Sequence, residues 1–144
     1  MTEIKDVVCA VVHQQNPFRI LCTLRYPDAA AYPSCWEFPG GKVEKGETHQ
    51  QALERECVEE LGVRVIVADV PSCWSFDGRT EMKEGVNYLY RLHFYWAKLA
   101  DNQQEPRALE SQELRWMEPS VMSSVTFCPG DEGFIIALQN MRPK

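Results

Sequence analysis

Between Thr48 and Gly62 the chain reads THQQALERECVEELG, and three of its glutamates are spaced so that only a helix gathers them into a cluster. Glu56, Glu59 and Glu60 stand at i, i+3 and i+4 and share one face within a single turn. Leu53, Cys57 and Leu61 stand at i, i+4 and i+8 on another face, apolar and suited to packing on a sheet. Both ends are marked: Thr48 and Gln51 make a capping-box pair, and Gly62 is placed as a left-handed C-cap.

Clustered acids repel one another, by roughly 4 kcal/mol for two unit charges about 4 Å apart at an effective dielectric near 20. A hard divalent cation relieves that repulsion, and oxygen ligands suit magnesium or manganese better than zinc. Magnesium keeps several waters and shares itself with substrate phosphates, so the cluster points to phosphate chemistry rather than to a closed structural site. Arg55, directly before the first acid, is placed to orient a carboxylate through a charge-assisted fork, with Glu47 as a partner. Upstream, Pro39-Gly40-Gly41 is a loop in which two glycines let other groups come close to the main chain.

Gly41, five spacers, Glu47, seven spacers, Arg55-Glu56, then Cys57, Glu59-Glu60, Gly62 and Val63 resemble a complete Nudix box. Seven fixed identities at roughly one in fifteen each arise by chance in a given window on the order of 10⁻⁸. Cys57 stands where the family pattern has an aliphatic residue, and a free cysteine serves as a small hydrophobe.

Within that family, WEFPGGKVE followed by Gly46-Glu47 is similar to the MutT-like branch, which cleaves nucleoside triphosphates into the monophosphate and pyrophosphate. The resemblance implies a hydrolase using Mg2+, with Mn2+ substituting, in which Glu56, Glu59, Glu60, Arg55 and Glu47 are the catalytic residues. It implies further metal contacts from the carbonyl of Gly40 and from Glu110, an acid in the loop before the last strand. Arg25, Phe38, Lys42, Phe76, Arg79 and Asp131 are the implied substrate contacts. The proton acceptor, an acid of the helix or Glu110, stays open, and on the residues alone Arg25 and Glu110 read equally as solvated side chains.

FCPGDEGFI is similar to the segment by which MutT-like enzymes read the base. An ionised Asp131 there would only accept hydrogen bonds, from the amino and ring N–H groups of 8-oxoguanine or from the exocyclic amine of cytosine. The implied function is clearance of oxidised nucleotides such as 8-oxo-dGTP. A CTP/dCTP or broader nucleoside diphosphate-X pyrophosphatase is the alternative, and a non-catalytic nucleotide-sensing module is the alternative of another class. The intact acid trio beside Arg55 weighs against the last.

Size and composition are ordinary for a soluble globular protein. At 144 residues the chain reads as one domain, and a formal charge of −6 disfavours polymeric nucleic acid as a partner. No apolar run approaches a membrane span, and MTEIKD lacks the features of an export signal. Six cysteines without a C-x-x-C pair read as reduced thiols, which places the chain in the cytoplasm. The expected partner is a nucleotide substrate, and the expected assembly a monomer or homodimer.

Strands are predicted over Val7–Val12 and Arg19–Leu24 as a buried hairpin, then over Arg64–Val70, over Ser72–Phe76 up to a turn at Asp77-Gly78, over Val86–Leu99 and over Leu114–Met117. A helical turn is expected over Pro119–Val125, and a terminal helix over Pro129–Met141 with Asp131 as a cap candidate. Tyr88, Tyr90, Phe94 and Trp96 read as core and sheet surface, His13 and His93 as packed side chains and His49 as solvated. The order implies an α/β fold, a mixed β-sheet sandwiched between helices.

Overall fold

The computed structural model describes residues 2–69 and 72–144, except for the side chain of Arg79. In chain order the elements are β1 (Thr2–Gln14), β2 (Arg19–Leu24), β3 (Trp36–Glu37), β4 (Gly40–Lys42), α1 (His49–Leu61), β5 (Val65–Val67), β6 (Trp74–Lys83), β7 (Val86–Leu99), β8 (Glu113–Met117), α2 (Pro119–Met122), a 3₁₀ turn (Pro129–Asp131) and α3 (Glu132–Leu138). The strands join in a mixed sheet ordered β3-β2-β1-β7-β5, with β4 on β1, β6 on β7 and β8 on β2.

The expected β1–β2 hairpin exists only at its tip, where His13 faces Ile20 and Gln14 faces Arg19. Most of β1 instead runs parallel to β7, from Thr2 opposite Asn87 to Val12 opposite Ala97. A partner this long also explains why β1 begins at Thr2 and not at Val7.

Alternation along β1 divides the core into two layers. Val8, Ala10 and Val12 point to one face and pack with Ala52, Leu53, Cys57 and Leu61 of α1. Cys9 and Val11 point to the other and pack with Phe94, Met122, Phe134 and Leu138. A strand covered on both faces reads as a continuous apolar run, which is what VVCAVV is. Helices therefore cover both faces, as the predicted layering requires. Each α1 leucine is fully buried, so truncating either to alanine costs on the order of 2–5 kcal/mol.

α1 starts and stops where its caps dictate. Thr48 Oγ1 accepts from the Gln51 N–H at 3.1 Å while Gln51 Oε1 accepts from the Thr48 N–H at 2.9 Å. Gly62 adopts φ 68°, a left-handed value glycine takes without penalty, and its N–H returns to the Val58 carbonyl.

Three sequence expectations change. Asp77-Gly78 is not a turn: β6 continues to Lys83, and a register shift between Asp77 and Thr80 marks a bulge that absorbs the glycine. The reversal comes at Glu84-Gly85, where φ is 50° and 78°, both positive as a tight hairpin requires. Val65–Val67 is all of the strand expected over Arg64–Val70, and Val70 itself lies outside the described residues. The terminal helix is shorter than Pro129–Met141, and the Asp131 side chain makes no capping bond because it is buried elsewhere.

All six cysteines are free thiols. Among the described residues no helix is long and apolar enough to cross a membrane.

Candidate active site

Because β4 lies against β1, the two glycines of the Pro39-Gly40-Gly41 loop meet the acidic face of α1. The Gly40 N–H donates to Glu60 Oε2 at 3.0 Å. Glu56 lies so close to Gly41 that any Cβ there would overlap its carboxylate, and a Cβ at Gly40 would strike the Val8 carbonyl. Gly40 is thus a steric requirement of the site, whereas a side chain at Gly41 would push the Glu56 carboxylate aside.

Arg55 holds the other end of the cluster. Its Nε and Nη2 donate to the two oxygens of Glu47 at 2.6 and 2.9 Å, the fork expected from the spacing. Nη1 donates to Glu56 Oε1 at 2.9 Å and to Glu59 Oε2 at 3.4 Å, and Nη2 also to the Lys42 carbonyl at 3.2 Å. Glu44 stands 3.8 Å away. One guanidinium is shared by four carboxylates, so the cluster keeps an excess of negative charge.

The protonation equilibria reflect burial first and that excess second. Hydrogen bonding to Arg55 holds Glu47 down to about 2. Burial raises Glu56 despite Arg55, with Glu59 and Glu110 adding to the rise. Glu60 is pushed up to about 9, chiefly by burial, with Glu56, Glu37 and Glu110 contributing against the Gly40 N–H. A carboxyl this reluctant to ionise is held beside its own kind with too little positive charge.

Glu110 is exposed, and its position follows from the end of α1. The Leu109 N–H donates to the Glu60 carbonyl and the Arg107 N–H to the Leu61 carbonyl, satisfying acceptors a helix leaves unpaired. Those bonds bring Glu110 to the cluster. Carboxylate oxygens are the donors that a hard divalent cation prefers.

A cavity of about 470 Å³ opens beside the cluster, with Gly40, Gly41 and Glu60 in its wall. Its exposed part includes Lys42, whose Nζ sits 5.4 Å from the Tyr90 ring centroid, and Phe76. Its buried part includes Phe38, Cys9, Cys128 and Asp131. Phe38 is packed edge-on against Phe94 and Phe134, so it is a fixed wall. Arg25 also lines the cavity, with Nη1 on Glu37 Oε2 at 3.1 Å and Nε on the Ala31 carbonyl at 2.9 Å. The Arg79 side chain lies outside the described residues.

Burial first, and then the nearby Glu37, raise the Asp131 carboxyl well above the usual range, which favours its protonated form. Glu37 is likewise raised by burial, against the pull of Arg25. Sequence reasoning missed Glu37 and Tyr90 as wall residues; Glu37 lies within the WEFPGG motif and was open to discovery there, while Tyr90 carried no signal beyond its place in a strand.

Fold and site together define a hydrolase: residues 4–138 match the NUDIX domain, and the chain belongs to that family, whose members are generally dependent on divalent metals. Among named relatives, it is 36% identical over 107 residues to putative 8-oxo-dGTP diphosphatase 2 of Mycobacterium tuberculosis, covering 72% of this chain and 67% of the relative. It is 34% identical over 104 residues to the 8-oxo-dGTP diphosphatase of Haemophilus influenzae, covering 72% and 70%. With nucleoside triphosphatase NudI of an Enterobacter species it shares 30% over 123 residues, covering 78% and 81%. The solution structure of the E. coli ORF135 protein superposes with a TM-score of 0.74 at 29% identity, over 99% and 95% of the two chains. MutT of Methanosarcina mazei, with a TM-score of 0.69 at 18% identity, covers 96% and 94% and shares the fold.

Proposed function

We propose that the protein hydrolyses nucleoside triphosphates to the monophosphate and pyrophosphate, with Mg2+ as cofactor, and that oxidised purine nucleotides such as 8-oxo-dGTP are its preferred substrates. The reading rests on one juxtaposition: an under-neutralised glutamate cluster shares a cavity wall with the buried carboxyl of Asp131.

Glu56, Glu59 and Glu60, with Glu110 and the Gly40 carbonyl, would hold the cation. Once bound, a divalent ion supplies charge neutralisation to a polyphosphate and acidity to a water. Arg55 and Glu47 keep Glu56 aimed at the glycine loop, and Lys42 and Arg25 meet phosphate oxygens. A carboxylate of the cluster or Glu110 takes the proton of the attacking water.

Asp131 supplies the choice of base. Its raised carboxyl, when protonated, presents one acceptor beside one donor. On its oxidised edge 8-oxoguanine presents an N7–H donor beside the O6 acceptor, whereas guanine has two acceptors there. The pairing admits the first and leaves a clash of acceptors with the second. Cytosine, with an amine donor beside the N3 acceptor, fits the same carboxyl, so a cytidine triphosphatase is the second reading. The free thiols, four of them buried, support a reducing cytoplasmic setting.

The test is the ranking of 8-oxo-dGTP, dGTP, CTP, dCTP and ADP-ribose by kcat/KM, with phosphate release followed in the presence of pyrophosphatase. Preference for 8-oxo-dGTP over dGTP by about tenfold or more is expected. A lead for CTP or dCTP selects the second reading, and binding without turnover of any nucleotide leaves a sensing module.

A further inference from the structure

We propose that Asp6, His49 and His93 form a separate cation site, which takes a borderline transition-metal ion, zinc being the representative. One ring nitrogen of each histidine and one carboxylate oxygen of Asp6 lie within 4.8 Å of one another. His93 Nε2 and Asp6 Oδ1 are 2.8 Å apart, and the two imidazole centroids 4.6 Å. Around a tetrahedral zinc with bonds of roughly 2.0–2.1 Å, ligand atoms stand roughly 3.4 Å apart. Small side-chain rotations therefore open the Asp6–His93 contact and close the others onto one ion.

The three residues come from three elements that the fold fixes together. Asp6 and His93 lie on the paired strands β1 and β7, and His49 opens α1. Alternation sets them on the α1 face of the sheet, opposite Val7, Tyr90 and Leu92, which line the nucleotide cavity. His49 Nδ1 bonds the Tyr95 hydroxyl at 2.7 Å, the kind of outer contact that orients a ligating imidazole. Arg91, also on this face, is held by Asp77 through bonds of 2.6 and 3.2 Å, so its charge is matched.

Simple packing accounts for the Asp6–His93 and His49–Tyr95 bonds but not for two basic rings set against each other. Burial and the neighbouring His93 lower the basicity of His49, against the pull of Asp6. Two imidazoles and one carboxylate suit zinc, nickel or copper and disfavour magnesium, and three protein ligands leave a fourth position for water. The ion would tie the first turn of α1 to the sheet.

The full chain, stripped with chelator and kept in millimolar Mg2+ to occupy the glutamates, is titrated with Zn2+ by calorimetry. One equivalent should bind, and the melting temperature should rise with it. His93→Gln and His49→Gln should each weaken Zn2+ binding by at least about tenfold, whereas Glu56→Gln should leave it unchanged. Zinc-edge anomalous density in wild-type crystals should peak between Asp6, His49 and His93, a readout that needs no variant. No Zn2+ binding in Mg2+, a density peak among the glutamates, or wild-type affinity in both histidine variants would overturn the site.

Discussion

Arg55 and Glu47 meet through two parallel hydrogen bonds, Nε to Oε2 at 2.6 Å and Nη2 to Oε1 at 2.9 Å, while the remaining guanidinium nitrogen reaches Glu56. The pair is a bracket that fixes a third side chain. Lysine keeps the charge but cannot make the planar fork. Arg55→Lys should therefore lower kcat/KM by about 10–100-fold, the scale of a lost charged hydrogen bond, with the far-UV circular dichroism unchanged. Wild-type turnover in this variant would show that the bracket plays no part.

Glu60 predicts how pH acts on the metal-free protein. Its folded value, about 9, lies above the ordinary carboxyl value of 4.5. Between those values the unfolded chain binds fewer protons at this group, so its contribution to stability falls as pH rises. In EDTA the melting temperature should drop from pH 5 to pH 8.5 more steeply in wild type than in Glu60→Gln, and Mg2+ should flatten the wild-type profile. Parallel profiles in wild type and variant would remove the assigned shift.

At Asp131 asparagine and alanine separate the two protonation states. Asn retains a donor and an acceptor; Ala has neither. Asp131→Asn should keep much of the preference for 8-oxo-dGTP over dGTP at pH 7, and Asp131→Ala should lose about tenfold or more of it. If Asn is as damaging as Ala, the carboxyl works as an anion, as the sequence alone suggested.

Gly41→Ala tests the close approach of loop and helix. The new methyl displaces the Glu56 carboxylate and leaves the buried layers untouched. Mg2+ dependence should shift to higher concentration, read as the midpoint of activity against Mg2+, while urea unfolding changes little. An unaltered midpoint would mean that Glu56 is free to take another position.

Legibility followed the range of the interaction. α1, its two caps, the Glu47–Arg55 fork and the clustering of Glu56 with Glu60 depend on spacings within about four turns, and all could be read off the chain. Glu110 arrived by family resemblance, and its physical cause, loop amides meeting the end of α1, is visible only in the fold. The raised carboxyl of Asp131 could not be read, because its cause is burial by residues distant in sequence. From the sequence His49 reads as solvated for the same reason: Tyr95 and His93, which meet it, lie on β7. Asp77-Gly78 misled because a turn dipeptide is equally at home in a bulge.

The parallel pairing of β1 with β7 sets an order of events during folding. Thr2 and Asn87 are 85 residues apart, so the first strand synthesised waits for a partner that emerges much later. Contacts this distant close slowly, whereas the contacts that build a capped helix are local and form fast. In pulsed hydrogen exchange the amides of α1 should gain protection before those of β1; the reverse order would refute this. A nascent chain halted before residue 86 would lack the strand on which β1 pairs, and recovery of activity should be timed by the arrival of β7.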